Sequence, residues 1–395
     1  MIGCGAQGKR SVIVLPGRAL DPTRPPVSIP AHERLLEGRL CMRAWAVVEN
    51  GAPLKEVELP TPEPKGTEVL VEVTHCGVCH SDLHIWEGYY DIGGGNKMSL
   101  ADRGVVLPLA MGHEIVGRVA KLGPDATGVA VGDLRIVYPW IGCGQCERCL
   151  AEEDNMCAVA SRSLGVFQNG GYGTHVIAPH PRHLIDPGTL DPAVAATYAC
   201  SGITVYSAIK KAMPLPPDAP IVVVGAGGLG LNAIAVLKAL KHRNIVVVDV
   251  SAEKREGALK AGATQAVDGT GPEATKRILA AAGGPVPAII DLVNGTATAR
   301  FAFAALAKGG KLIQVGLFGG ELTLPLPLMP MRALTIQGSY VGDPKELREL
   351  VQLAQEGTLE ALPVSTVPQS EANDALMRLR DGKVNGRVVL RAAAA

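Results

Sequence analysis

From Met42 onward, short apolar runs alternate with turn-forming glycines and prolines. Glu68–Val73, Ile115–Lys121, Arg135–Tyr138 and Thr174–Ala178 read as strands of a β-rich unit spanning 42–190. The texture changes at about residue 191. Ile221–Val224, Ile245–Val250, Ala288–Val293, Lys311–Val315 and Leu334–Gly338 are strand candidates separated mostly by alanine-rich helical stretches. Strands alternating with helices predict a doubly wound parallel sheet over 191–343. After a helix near Lys345–Glu356 the pattern turns strand-like again, ending in Gly386-Arg-Val-Val-Leu-Arg. This predicts that 344–395 returns to the first unit. The expected class is α/β, a β-rich domain with a nucleotide-type domain inserted late in the chain.

Residues 1–41 carry several prolines and arginines and no period. They are expected to be a disordered extension or a start upstream of the natural one; a transit peptide is the sharper alternative, opposed by the prolines, Asp21, Glu33 and Glu37. Ala219–Leu237 is an uncharged window of 19 residues, but its four glycines and Asn232 fit strand, turn and helix better than a membrane span. Formal net charge is zero, which gives no reason to expect nucleic acid or an anionic membrane as partner. Four of the nine cysteines fall within fifteen residues. With no signal peptide evident, this reads as metal binding in a reducing, cytoplasmic compartment and not as a disulfide framework.

Ile221-Val-Val-Val is followed by Gly225-x-Gly227-Gly228-x-Gly230 and then an apolar helix. Gly225 permits the tight turn, Gly227 lets backbone approach a pyrophosphate, and Gly230 lets helix and strand pack closely. Asp249 lies 19 residues after Gly230, at the end of the next strand candidate. A carboxylate there accepts from the adenosine ribose hydroxyls and repels a 2′-phosphate, so NAD is expected over NADP. Cys143-x-x-Cys146-x-x-Cys149-x7-Cys157 offers four thiolates from one loop, enough to close a structural zinc site. Cys79, His113 and Cys200 are dispersed, and spacing alone does not unite them.

The ordered series VCHSDLH, GHE, GCGQCERCLAEEDNMC, ACSGITVY and VVVGAGGLG resembles the zinc-containing medium-chain alcohol dehydrogenases, as in yeast and liver. The resemblance runs from about Met42 to Arg391. It implies a GroES-like catalytic domain joined to a Rossmann domain, two zinc ions per chain, and a dimer or tetramer. It also implies that Cys79, His113 and Cys200 hold a catalytic zinc, with Glu114 as the nearby carboxylate and Asp82 orienting His113. By the same resemblance Ser81 bridges to the substrate oxygen and His84 ends a proton relay. His80, Thr204 and Arg387 match positions at the nicotinamide or pyrophosphate, and Lys254 matches one near the adenosine ribose. The implied activity is oxidation of an alcohol to an aldehyde or ketone. An alcohol holds its proton too tightly to lose it at neutral pH, and an open zinc position lowers that barrier.

One departure lies between Trp86 and His113. The segment 87–107 is roughly ten residues longer than in the short yeast-type form, and long loops near sites are often functional. Substrate identity is therefore not carried over. A polyol or sugar dehydrogenase on the same scaffold is the alternative; such enzymes commonly offer glutamate where this chain has Cys200. A cinnamyl-alcohol type is also close, but it generally prefers NADP and lacks the acid at Asp249. A non-catalytic NAD- and zinc-binding homologue would be expected to have lost a ligand or the relay, and none is missing here.

Overall fold

The computed structural model describes residues 41–392; the expectation for 1–40 lies outside them. The first strand is Cys41–Val47, one residue earlier than expected, because Cys41 already pairs opposite Pro60. The largest sheet of the β-rich half contains Val69–Gly77, Glu114–Leu122 and Leu134–Val137, all antiparallel neighbours. Near the C-terminus, Arg387–Arg391 adds to the other side of Val69–Gly77, with Val389 opposite Gly77. That pairing brings Arg387 to the end of the sheet from which the Cys79 loop departs.

The second half holds six parallel strands. In chain order they are Ile221–Val224, Ile245–Asp249, Gln265–Asp268, Val286–Asp291, Leu306–Gln314 and Thr335–Gly338. Their spatial order is 3-2-1-4-5-6, the doubly wound arrangement. The first two strands are nearly all valine and isoleucine and are buried along their apolar lengths, as a sheet covered on both faces requires. The fifth is longer than the expected Lys311–Val315. The strand runs through Gly309 and Gly310, a pair of turn composition, with a shift of register between Val286 and Ala288 on its neighbour.

The Ala219–Leu237 window resolves into strand Ile221–Val224, a glycine turn and helix Gly228–Ala239. Among the described residues no helix is long and apolar enough to cross a membrane. Helix Pro192–Thr197 packs on Val69–Gly77 and Glu114–Leu122, whereas helix Ile203–Ala212 packs on Gly228–Ala239. The chain crosses between its halves in the π-helical turn Tyr198–Gly202, which contains Cys200. Widened turns of this kind concentrate at functional sites.

Candidate active site and metal centres

Cys79 caps helix His80–Glu87 in extended conformation, and its N–H donates to Asp82 Oδ2 at 2.9 Å. Asp82 is fully buried. Its Oδ1 accepts from Gly112 N at 3.2 Å and lies 3.3 Å from His113 Nδ1, while Tyr172 donates its hydroxyl to Oδ2 at 3.3 Å. One carboxylate thus joins the loop bearing Cys79 to the loop bearing His113. Cys200 arrives from the π-helical turn, and the ligand atoms of Cys79, His113 and Cys200 lie within 4.8 Å of one another.

The two sulfurs are 3.8 Å apart. Two thiolates about 2.3 Å from one tetrahedral zinc stand about 3.8 Å apart, so the pair fits that ion. His113 is buried, and neither ring nitrogen makes a hydrogen bond, although Nδ1 faces Asp82 Oδ1; Nε2 is left for a metal. The hydrogen bond shared with Cys200 pulls the Cys79 thiol well down and pushes Cys200 well up. Burial alone would lower His113, but the charges of Asp82 and Cys79 outweigh it and raise it.

Glu114 begins the strand next to His113. Its Oε1 accepts from Ser201 N at 3.1 Å and its Oε2 from Arg387. Burial lifts the carboxyl to about 7, against the pull of the Arg387 charge. Ser201 Oγ accepts from Asn232 Nδ2 at 2.9 Å, which connects Glu114 to the helix that follows the glycine turn.

In that turn Gly225 has φ +98°, and a Cβ on Gly230 would lie 2.0 Å from Gly225 O. A Cβ on Gly228 would meet Arg387 Cδ at 2.7 Å, whereas Gly227 faces open space within 4 Å. The helix N-terminus is therefore free to receive an anion at Gly227. Thr204 Oγ1 and Arg387 Nε are buried without partners, so polar groups remain for a ligand to satisfy. Asp249 ends its strand, with Oδ2 accepting from Ala226 N at 2.7 Å and Oδ1 from Ser251 N at 2.8 Å. Lys254 donates its N–H to Ser251 Oγ in the first turn of the next helix. Arg255, which the sequence did not single out, donates to Asp249 O at 2.8 Å.

Half-buried Ser81 lies one turn before His84 on helix His80–Glu87. The ring of exposed His80 is 5.9 Å from that of His84, and Tyr90 packs on His84 at 4.9 Å. Burial, then the neighbouring His80 charge, lowers the His84 imidazole below its ordinary value.

The sulfurs of Cys143, Cys146, Cys149 and Cys157 form a separate group, with the three close pairs 3.5, 3.8 and 3.9 Å apart. All four are free thiols, and their separations fit tetrahedral zinc. Arg182 secures the lobe from outside, donating to Cys149 O at 2.8 Å and to buried Asp154 Oδ1 at 2.7 Å.

Sequence reasoning missed the walls of the cleft. Trp140 packs 5.1 Å from His113 and Tyr340 packs 5.9 Å from Trp140. Tyr340, Tyr90, Phe167, Met98, Leu100 and Arg103 help to line a cavity of about 570 Å³. Aromatics make up only 4% of the chain, so Trp140, three residues before Cys143, was the available signal.

Two family models match the chain: an alcohol dehydrogenase GroES-like domain over 65–186 and a zinc-binding dehydrogenase domain over 228–356. An NAD-dependent alcohol dehydrogenase of Sulfurisphaera tokodaii is 38% identical over 88% of this chain and 99% of the relative. One from Saccharolobus solfataricus is 39% identical with the same coverage. The crystal structure of the alcohol dehydrogenase from Aeropyrum pernix superposes with TM-score 0.80 at 32% identity, covering 88% of this chain and 99% of that one. The chain belongs to the zinc-containing medium-chain alcohol dehydrogenase family.

Proposed function

We infer that the protein oxidises an alcohol to an aldehyde or ketone and reduces NAD, with zinc as resident metal. The observation that carries this is the buried group of three ligands, Cys79, His113 and Cys200. Two cysteines and a histidine are the set already known for the catalytic zinc of alcohol dehydrogenases, and three protein ligands leave the fourth position open. When bound, zinc supplies Lewis-acid polarisation of the alcohol oxygen and NAD supplies the hydride acceptor.

The chain's own residues hold and move the remaining parts. Asp82 fixes the His113 ring by its Oδ1 and the Cys79 loop by its Oδ2. Ser81 takes the substrate proton, and His84 passes it to solvent; an imidazole lowered below its ordinary value is neutral at working pH and accepts it. Arg387 neutralises Glu114 beside the metal ligands and lies against Gly228. Thr204 offers its unpaired hydroxyl to the nicotinamide side. Asp249 takes the ribose hydroxyls, and Lys254 stands near the same sugar. His80 lies toward the pyrophosphate. The four-cysteine lobe carries the second, structural zinc.

The assembly is a homo-oligomer, dimer or tetramer. Among the described residues strand Thr335–Gly338 ends the parallel sheet unpaired on one side, and Leu326 and Met331 nearby are 76% and 69% exposed. Clustered free thiols support a reducing, cytoplasmic setting.

NADH absorbance with primary, secondary and aromatic alcohols tests the activity. NAD is expected to exceed NADP by at least about tenfold in kcat/KM, which needs only about 1.4 kcal/mol. Equal efficiency would show that Asp249 does not read the ribose. No oxidation of any alcohol would remove the reading itself.

A further inference from the structure

The inserted segment folds as a hairpin in which Tyr89–Asp91 pairs with Lys97–Ser99. Its polar contacts are largely its own. Asp91 Oδ1 accepts from Gly93 N at 2.8 Å, Asn96 N donates to Gly93 O at 2.9 Å, and Lys97 Nζ sits 3.7 Å over the Tyr89 ring. At its root Leu100 N donates to Gly88 O at 2.9 Å, and Tyr90 packs on His84.

The tip reaches the loop after strand Leu306–Gln314. A Cβ on Gly93 would lie 2.6 Å from Gly320 O, and one on Gly319 would lie 2.8 Å from Asp91 Cβ. On its far side, a Cβ on Gly320 would lie 2.3 Å from Thr296 Oγ1. Three layers of backbone are stacked there: the hairpin tip, Gly319–Gly320, and Gly295–Thr296. At Gly93, Gly319 and Gly320 only a residue without a Cβ allows that approach. Among the described residues no hydrogen bond or ion pair joins the hairpin to Gly319–Glu321, so close packing alone seats it, and packing is sensitive to a single added methyl.

We propose that this hairpin is a specificity strap, seated glycine on glycine across the two halves, that selects alcohols with an aromatic or branched apolar body. The proposal rests on the alcohol dehydrogenase reading. Tyr90 and Met98 of the strap, with Leu100 at its root, line the cavity of about 570 Å³ together with Phe167 and Tyr340. An apolar body covers these side chains and displaces the water against them, whereas ethanol leaves them wet. Discrimination follows from the position of the strap, and that position depends on Gly93.

Two substitutions separate the seat from backbone strain. Gly93 and Gly95 share left-handed conformations, φ +84° and +77°, so alanine is strained alike at both. A Cβ on Gly95 meets nothing within 4 Å. The unaltered enzyme, with NAD, should prefer benzyl alcohol to ethanol by at least about tenfold in kcat/KM. Gly95→Ala should keep that ratio within about twofold, whereas Gly93→Ala should lower it about fivefold, chiefly by raising KM for benzyl alcohol. Met98→Ala, which trims the wall and leaves the seat intact, should also lower the ratio; it decides the matter if Gly93→Ala does not fold. Equal ratios in both alanine variants, or an unaltered enzyme that prefers ethanol, would overturn the strap alone. No NADH from any alcohol would overturn the dehydrogenase reading and the strap with it.

Discussion

The sulfurs of the Cys143–Cys157 lobe come from one loop of fifteen residues, whereas Cys79, His113 and Cys200 come from three elements spread over 121 residues. The lobe gathers four sulfurs, which under the proposed function would fill a tetrahedral zinc and leave no place for a substrate. It is fastened from outside, by Arg182 to Cys149 O and Asp154, by Arg348 to Glu152, and by Lys345 to Ala151 O. The group of three is buried within the fold, and under the proposed function it would leave one position of its zinc open. One site needs the fold only as an anchor; the other exists only because the two halves have already met at the Tyr198–Gly202 turn. The lesson is that a local site stabilises the fold and a dispersed site depends on it.

Two ligand substitutions test that asymmetry most severely. Cys200→Ala should reduce kcat/KM by about a thousandfold or more, equivalent to about 4 kcal/mol. Its melting temperature should fall little, because the turn keeps its backbone packing. Cys146→Ala should do the reverse: stability falls by about 3 kcal/mol, since losing a metal removes folding energy directly, while kcat at low temperature stays near that of the unaltered enzyme. Elemental analysis should give two zinc ions per chain in the unaltered enzyme and one in each variant. Activity lost in Cys146→Ala at unchanged melting temperature would break the comparison.

The same asymmetry explains what the sequence reveals. The Rossmann half is legible because its strands are short valine and isoleucine runs punctuated by glycines, and the lobe is legible because its spacing is local. The group of three is different: 34 residues separate Cys79 from His113 and 87 separate His113 from Cys200. No local period encodes such a meeting, and only the family resemblance brought those residues together. The Trp140–Tyr340 wall and the Gly93–Gly320 seat were not read at all. Each joins segments about two hundred residues apart through side-chain packing or backbone approach, which leave no periodic trace. The Leu306–Gln314 strand was read too short for a related reason: Gly309-Gly310 has turn composition, and the sheet overrides it.

A milder comparison uses the two buried aspartates. Asp82 supports the open site and Asp154 supports the lobe, and both side chains are fully buried. Asp82→Asn keeps an acceptor for only one of the Gly112 and Cys79 N–H groups and removes the charge facing His113, so kcat/KM should fall about 10- to 100-fold, the usual cost of losing a ligand's partner. Asp154→Asn removes the charge held by Arg182 and His183. Arg182 remains 22% exposed and partly hydrated, so the cost should be about 1–2 kcal/mol in stability, with kcat unchanged. Measuring kcat/KM and melting temperature for both variants gives a two-by-two outcome. Equal effects on activity would show that the lobe also positions the cleft, through the Asn155 Nδ2 hydrogen bond to Tyr340 O.

The smallest effect belongs to His84, because only an open site needs a path for a proton. Its imidazole is lowered by burial and by the His80 charge, with Cys79 opposing. The sign follows directly. A lowered pKa keeps the ring neutral, and able to accept a proton, at pH values below the ordinary histidine range near 6.5. The unaltered enzyme should therefore sustain alcohol oxidation below that range, and its rate should fall only when the ring protonates. Glutamine keeps the approximate size and a hydrogen bond but cannot take up a proton. His84→Gln should then depend on hydroxide as acceptor, slowing oxidation about tenfold at pH 6 and about twofold at pH 9. Imidazole buffer at fixed pH should restore part of the rate at pH 6 and little at pH 9, because it replaces the missing base only where hydroxide is scarce. Tyr90, packed 4.9 Å from the same ring, should leave that pH dependence in place when changed to phenylalanine, since the contact is between rings tilted by 43° and carries no proton. Parallel pH–rate curves for His84→Gln and the unaltered enzyme would remove His84 from the relay and leave Ser81 to deliver the proton to solvent by another route.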